Sequence, residues 1–289
     1  MISKFISIII IFAVCLFLNC SGQHKQINMQ HQDSSLEIFK QGIDFQRIEN
    51  QSSTKGVVSN WPIEEIIKEF VMGSWELIAQ DVGGLDEGCE ATWGFRKGEQ
   101  TIVLEIFAAD NDAVIKDYFL DRTSATSMMQ IPYTKTETLI GTISVKSPEP
   151  KPQTYIWIYH NVYFHLEGYN TDIEMEYLAK EIQEIAEAGL VDDLSQHINF
   201  VEKISIAPEK IAIQDIFQIK PILSEEAAEN SDDYILDFQR DIEMIDIFRQ
   251  EGDHIFFKAL KEGDTEIQLK VINQINLLSS SRKISITID

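Results

Sequence analysis

Three sets of residues in this 289-residue chain carry side chains able to do chemistry. The first is its three cysteines, Cys15, Cys20 and Cys89. Cys15 lies inside an apolar N-terminal run and Cys20 closes it, so Cys89 is left without a partner and no disulfide framework is expected. With no His or Lys beside it in sequence to depress its pKa, Cys89 reads as a small buried hydrophobe rather than a reactive thiol. The second set is the acidic, Gly-rich segment 81–90, DVGGLDEGCE. Carboxylates and carbonyls in such a loop can hold a cation, but the alternating ligand spacing of an EF-hand is missing, and a solvated turn without metal is the expectation. The third is segment 155–166, YIWIYHNVYFHL, rich in aromatic and imidazole groups. No GxSxG, HExxH, CxxC, GxxxxGK[ST] or GxGxxG occurs, which removes every specific reason to expect an enzyme or a cofactor.

If His160-Asn161 is a two-residue turn, residues 155–166 form a hairpin with cross-strand partners 159/162, 157/164 and 155/166. One face then holds Tyr155, Trp157, Tyr159, Val162, Phe164 and Leu166, and the other Ile156, Ile158, Tyr163 and His165. His160 and His165 fall at a turn and in mid-strand, too far apart to form a metal pair. Both faces are largely apolar, so the second must be covered by a helix, another domain or a ligand. Tyr155, Trp157, Tyr159 and Phe164 are either core or a binding surface, because Tyr and Trp serve equally well in both settings.

The elements that position this hairpin read as an α+β domain over residues 60–193. Asn60 and Pro62 open a helix whose stripe is Ile63, Ile66, Ile67 and Phe70. Strand-like runs follow at 75–80, 90–96 and 101–107, then a helix carrying Val114, Ile115, Tyr118 and Phe119. Further strands at 141–146, 154–160 and 162–167 lead to a helix capped at Asn170 or Thr171, with Ile173, Tyr177, Leu178, Ile182 and Ile185 on one face. Residues 90–119 and 155–182 share the order strand, turn, strand, cap, helix, which predicts a two-layer antiparallel sheet with helices on one face, built from two β-β-α halves.

At the N-terminus, Lys4 precedes about 11 unbroken apolar residues at positions 8–18. That is the length of a secretory signal, short of the roughly 20 residues a spanning helix needs. The sequence FLNC at 17–20 resembles a bacterial lipobox, with Phe17 and Asn19 in place of the usual Leu and small residue. The resemblance implies that residues 1–20 are a lipoprotein signal peptide, that Cys20 is lipidated, and that Ser21 permits export to the outer membrane. The alternative is an ordinary secreted protein cut nearby. Residues 21–59, rich in Gln and Ser apart from a short helical pattern at 36–48, read as a tether holding the folded part roughly 30–35 Å from the membrane.

Beyond a polar boundary at residues 191–199 the hydrophobic period changes from helix-like to strand-like, predicting two domains that fold independently. Seven short strands, with Ile267, Leu269, Val271, Ile284, Ile286 and Ile288 inward, predict an all-β sandwich over residues 200–289. The segments IAIQDIFQI (211–219) and FKALKEGDTEIQLKV (257–271) resemble bacterial immunoglobulin-like (BIG-type) domains, with Gln214 where Gly is usual. That resemblance implies an immunoglobulin-like sandwich serving as spacer or interaction module. Chagasin-type protease inhibitors share the sandwich, but their Asn-Pro-Thr-Thr-Gly and Arg-Pro-Trp loops are absent.

The formal charge is −23, or −24 once residues 1–20 with their one Lys and no acid are removed. This argues against nucleic acid and against docking on anionic head groups by charge, both of which need clustered Lys and Arg. The expectation is therefore a lipid-anchored, non-catalytic cell-envelope protein that binds or scaffolds an envelope or extracellular protein. Two alternatives stand beside it. A deep apolar pocket at Trp157 would mark a small-molecule or lipid binder, and convergent carboxylates with shifted pKa values would mark an enzyme or protease inhibitor.

Overall fold

The computed structural model describes residues 29–49, 62–85, 87–109, 112–128, 133–148, 152–171, 173–188, 199–208, 210–251 and 254–289. The signal segment with Cys20, residues 21–28 and 50–59 of the expected tether, Asn60 and nearly all of the 191–199 boundary lie outside the described residues. The chain's contacts divide it into two units, Met1–Phe39 and Lys40–Asp289. In the first, the described residues belong to helix α1 (Met29–Gly42). No helix among the described residues is long and apolar enough to cross a membrane.

The second unit is mostly antiparallel β-sheet. Its N-terminal part contains α2 (Gln46–Glu49), α3 (Ile63–Met72), β1 (Glu76–Leu85), β2 (Gly88–Lys97), β3 (Gln100–Ala109), α4 (Asp112–Met128), β4 (Thr134–Lys135), β5 (Ile143–Lys146), β6 (Gln153–Tyr159), β7 (Val162–Tyr169) and α5 (Met175–Ala188). The strands form one sheet in the order β1-β2-β3-β7-β6-β5-β4. Two hairpin halves thus meet where β3 pairs with β7. The β6–β7 hairpin has the expected register, Tyr155↔Leu166, Trp157↔Phe164 and Tyr159↔Val162.

The expectation of helices on one face is corrected. Helices α3 and α5 cover the face carrying Trp93, Phe95, Leu104, Trp157 and Phe164, where Phe70 stacks on Phe95 at 4.2 Å. Helix α4 lies on the opposite face, where Tyr118 stacks on Phe107 at 4.1 Å, and Phe45, just before α2, stacks against Phe119. The physical reason is in the strands: Ile156, Ile158 and Tyr163 alternate with the Trp157 set and need cover of their own. Helix α5 also starts later than expected, at Met175, with the Thr171 hydroxyl accepting from Ile173 N at 3.1 Å in the preceding turn. Its buried stripe runs through Met175, Leu178, Ala179, Ile182 and Ala186, so Tyr177 lies off that stripe and is 58% exposed.

The C-terminal part contains β8 (Val201–Ala207), β9 (Ile216–Leu223), α6 (Glu225–Glu229), β10 (Tyr234–Arg240), β11 (Ile245–Glu251), β12 (His254–Ala259), β13 (Gly263–Asn273) and β14 (Ser279–Ile288). They make two sheets, β10-β13-β14 and β11-β12-β9-β8. The inner faces share one core, in which Phe238 of the first sheet meets Phe257 of the second edge-on at 5.5 Å. All six residues expected to point inward from β13 and β14 are buried there. Gln214 has φ +72°, the left-handed conformation for which Gly is the ordinary choice. The short helix α6, capped by the Ser224 hydroxyl, was not legible in the period-two pattern.

The outer face of the three-stranded sheet meets the β1–β2 turn. The ammonium of Lys270, a residue only 2% exposed, donates to the carbonyls of Leu85 and Gly88, the latter at 2.6 Å. Gln239 donates to Gly84 O at 3.2 Å, and the Cys89 thiol to Leu277 O at 3.4 Å. The acidic Gly-rich segment is therefore not a solvated turn. It holds a cation after all, and the cation is a lysine of the same chain. A Cβ on Gly84 would lie 2.5 Å from Asp237 Oδ2 and 2.9 Å from Lys270 Cδ, so a larger residue there would displace these two side chains.

Candidate functional site

The face of the seven-stranded sheet beneath α4 brings together five ionisable side chains from four elements. Glu105 of β3 and His165 of β7 are direct cross-strand partners, with His165 Nδ1 3.4 Å from Glu105 Oε2. Glu90 projects from β2 on the same face. Tyr118 and Arg122, one turn apart on α4, reach down from above. Tyr118 Oη lies 3.2 Å from Glu105 Oε1 and 3.4 Å from Glu90 Oε2, and accepts from Arg122 Nη2 at 2.7 Å. Arg122 Nη2 also stands 3.7 Å from Glu90 and 3.8 Å from Glu105. Glu105 is the most enclosed carboxylate, its side chain 13% exposed. His165 Nε2 is buried and has no hydrogen-bond partner among the described residues.

The electrostatics push the two carboxylates apart. Burial and the neighbouring Glu105 charge raise the Glu90 pKa above the ordinary carboxylate range. Burial works in the same direction on Glu105, but the hydrogen bond and charge of His165, with Arg122 and Tyr118, outweigh it and hold Glu105 below that range. His165 is the mirror case: burial would lower it, and Glu105 raises it. A carboxylate held above the ordinary range beside one held below it is the arrangement used for general acid and general base work. The same contacts also clamp α4 to the sheet.

The clamp has a defined pH window. Glu105, depressed, contributes stability above its ordinary value near 4.5 that is lost as pH falls through its folded value. His165, raised, contributes stability below its ordinary value near 6.5 that is lost as pH rises through its folded value. The pair is therefore expected to stabilise most between about pH 4.5 and 6.5. Melting temperature followed against pH should show this maximum in the wild type and a flatter profile in Glu105→Gln. Equal curves for the two proteins would remove the pair as a source of stability.

The sequence-predicted residues fall as follows. Tyr155, Trp157, Tyr159 and Phe164 do share a face, but Trp157 and Phe164 are fully buried and stacked on each other at 4.9 Å, so these two offer no accessible surface. Tyr155 and Tyr159 are partly buried at the margin of the same core. Cys20 lies outside the described residues. Among the described residues, no group of three or more His, Cys, Asp or Glu side chains is arranged to hold a metal. The glutamates, Tyr118 and Arg122 were missed as a set. The usable signals were the (i, i+4) spacing of Tyr118 and Arg122, and the parity that set Glu90, Glu105 and His165 opposite the apolar members of their strands.

No family model and no curated protein matches the chain. Two solved chains match, one of them named a polysaccharide lyase, at 7% identity and a TM-score of 0.19. The match covers 73% of this chain and 35% of that one. The expectation that the chain is not an enzyme is corrected at this point: a matching structure bears an enzyme's name, and missing motifs exclude familiar signatures rather than chemistry. So slight a likeness carries neither activity nor substrate to this chain.

Proposed function

We propose that this chain is a lipid-anchored protein of the bacterial cell envelope, held at the outer membrane through Cys20, and that its folded part binds or scaffolds an envelope partner through an immunoglobulin-like C-terminal sandwich. The supporting observation is the pair of packed sheets over residues 201–288, fastened at one face to the seven-stranded sheet by Lys270 and bare at the other. A module docked on one side and exposed on the other has a free sheet face with which to meet another component of the envelope. Radiolabelled palmitate is expected to mark the wild type and not Cys20→Ala. Equal labelling of the two would remove the anchor.

A second reading rests on the Glu90–Glu105 pair, whose separated pKa values favour proton transfer in an envelope enzyme. Its basis is measurable without a substrate. Carboxyl-carbon NMR titration should place Glu90 above and Glu105 below the ordinary range, and two ordinary values would withdraw it.

A further inference from the structure

The face of the four-stranded sheet turned away from Lys270 reverses the charge character of the chain. Strand pairing sets Lys203 and Ser205 of β8 beside Ile222 and Lys220 of β9, Gln218 beside Phe256 of β12, and Ile216 beside Lys258. On β11, Arg249 pairs with Phe256 and lays its guanidinium over that ring, 4.3 Å from the centroid. His254 bonds Lys220 at 3.2 Å and also Gln218. Two acids of this face, Asp246 and Glu251, stand at the β11 margin and are already paired, with Arg240 at 3.1 Å and Arg249 at 3.5 Å, and Glu202 is exposed at the β8 bulge beside Lys203. Three lysines and an arginine are thus gathered on one sheet of a chain with 24 basic and 47 acidic residues. Two isoleucines stand among them, Ile216 and Ile222, 45% and 42% exposed.

We propose that this face docks flat on an anionic lipid surface. Three features select that occupant. Charge complementarity calls for an anion, and the basic and apolar side chains are spread across neighbouring strands of one sheet face. The exposed isoleucines and Phe256 between the lysines match the apolar layer just below the head groups, where lysine stems lie along the interface while their ammonium groups stay at the phosphates. A soluble polyanion would use the lysines and leave the isoleucines in water. The chain's net negative charge does not forbid docking. At physiological salt the screening length is about 8 Å, so acids on the far side of the molecule are largely hidden from the membrane while the facing layer is not. Docking would hold the sandwich down beside its own anchor, with the seven-stranded sheet turned outward.

The inference takes its setting from the envelope-anchored reading, yet it can be tested apart from it. Residues 21–289, which keep the whole Lys40–Asp289 unit and carry no acyl chain, should sediment with vesicles of equimolar phosphatidylglycerol and phosphatidylcholine and not with pure phosphatidylcholine. The bound fraction should fall as salt rises. Lys203→Glu/Lys220→Glu/Lys258→Glu is expected to lose about 100-fold or more in vesicle affinity. Lys68→Glu/Lys261→Glu/Lys283→Glu, with the same charge change elsewhere, should bind as the wild type does. Equal loss in both triple variants would reduce the effect to net charge and overturn the proposal, as would no vesicle binding by the wild type. Retention by dextran sulfate without vesicle binding would assign the face to a soluble polyanion instead. Failed palmitate labelling with vesicle docking intact would remove the anchor and leave the face; the opposite result would do the reverse.

Discussion

Lys270→Met is expected to destabilise the Lys40–Asp289 unit by about 3–5 kcal/mol, the cost of removing one partner from a buried charged network. Lys270 sits on the outer face of β13, where the period-two pattern calls for a solvated residue. Its aliphatic stem is instead enclosed, and its ammonium is spent on the Leu85 and Gly88 carbonyls. Methionine keeps most of the stem volume but leaves both carbonyls without their donor and Asp237 without its nearest cation. Asp237 is already raised above the ordinary carboxylate range, first by burial, and Lys270 is among the groups that restrain the shift. Removing the lysine should therefore raise it further. Denaturant unfolding of Lys270→Met, Asp237→Asn and the double variant measures the coupling, and the double variant should recover part of the loss. Additive effects of the two single variants would mean that Lys270 and Asp237 are not coupled across the joint. Expression of residues 200–289 alone tests the expected independence of the sandwich directly, since its Lys270 would then face water.

Trp157→Ala is expected to cost about 3–5 kcal/mol, comparable to the whole stability of an ordinary domain. The indole is fully buried, stacks on Phe164 with the rings 5° from parallel, and donates from Nε1 to Gln183 Oε1 at 2.9 Å. Truncation opens a cavity and also takes the Trp157 donor from Oε1 of Gln183, a residue only 5% exposed whose Nε2 still donates to Glu187. Trp157→Phe separates the two losses, because it keeps most of the ring and forfeits the hydrogen bond. Tyr159→Ala, at the core margin, should move the melting temperature far less. An unchanged melting temperature for Trp157→Ala would overturn the core assignment and return this sheet face to the candidates for binding.

Whatever depends on neighbours along the chain was legible in the sequence. The register of β6 and β7 followed from a two-residue turn and strict alternation, which together leave one way to pair the strands. The inward sets of β13 and β14 followed from alternation alone. Alternation also placed His165 on the second face of the hairpin and showed that this face needed cover.

Tertiary structure alone decided what supplied the cover and where the charges went. Helix α4 carries few apolar residues on the side it presents to the sheet, because part of that side is Tyr118 and Arg122 bonded to Glu90 and Glu105; a hydrophobic pattern cannot report a contact made by ions. Lys270 illustrates the same limit. Its alternation marks it as solvated, and only the arrival of a turn 182 residues away in sequence makes it buried. Net charge was fixed by composition, yet composition could not locate it. Lys203, Lys220, Arg249 and Lys258 are spread over more than fifty residues of chain, and only the lateral pairing of four strands lines them up on one face. Strand order is a property of long-range pairing, and one-dimensional alternation carries no information about which strands become neighbours.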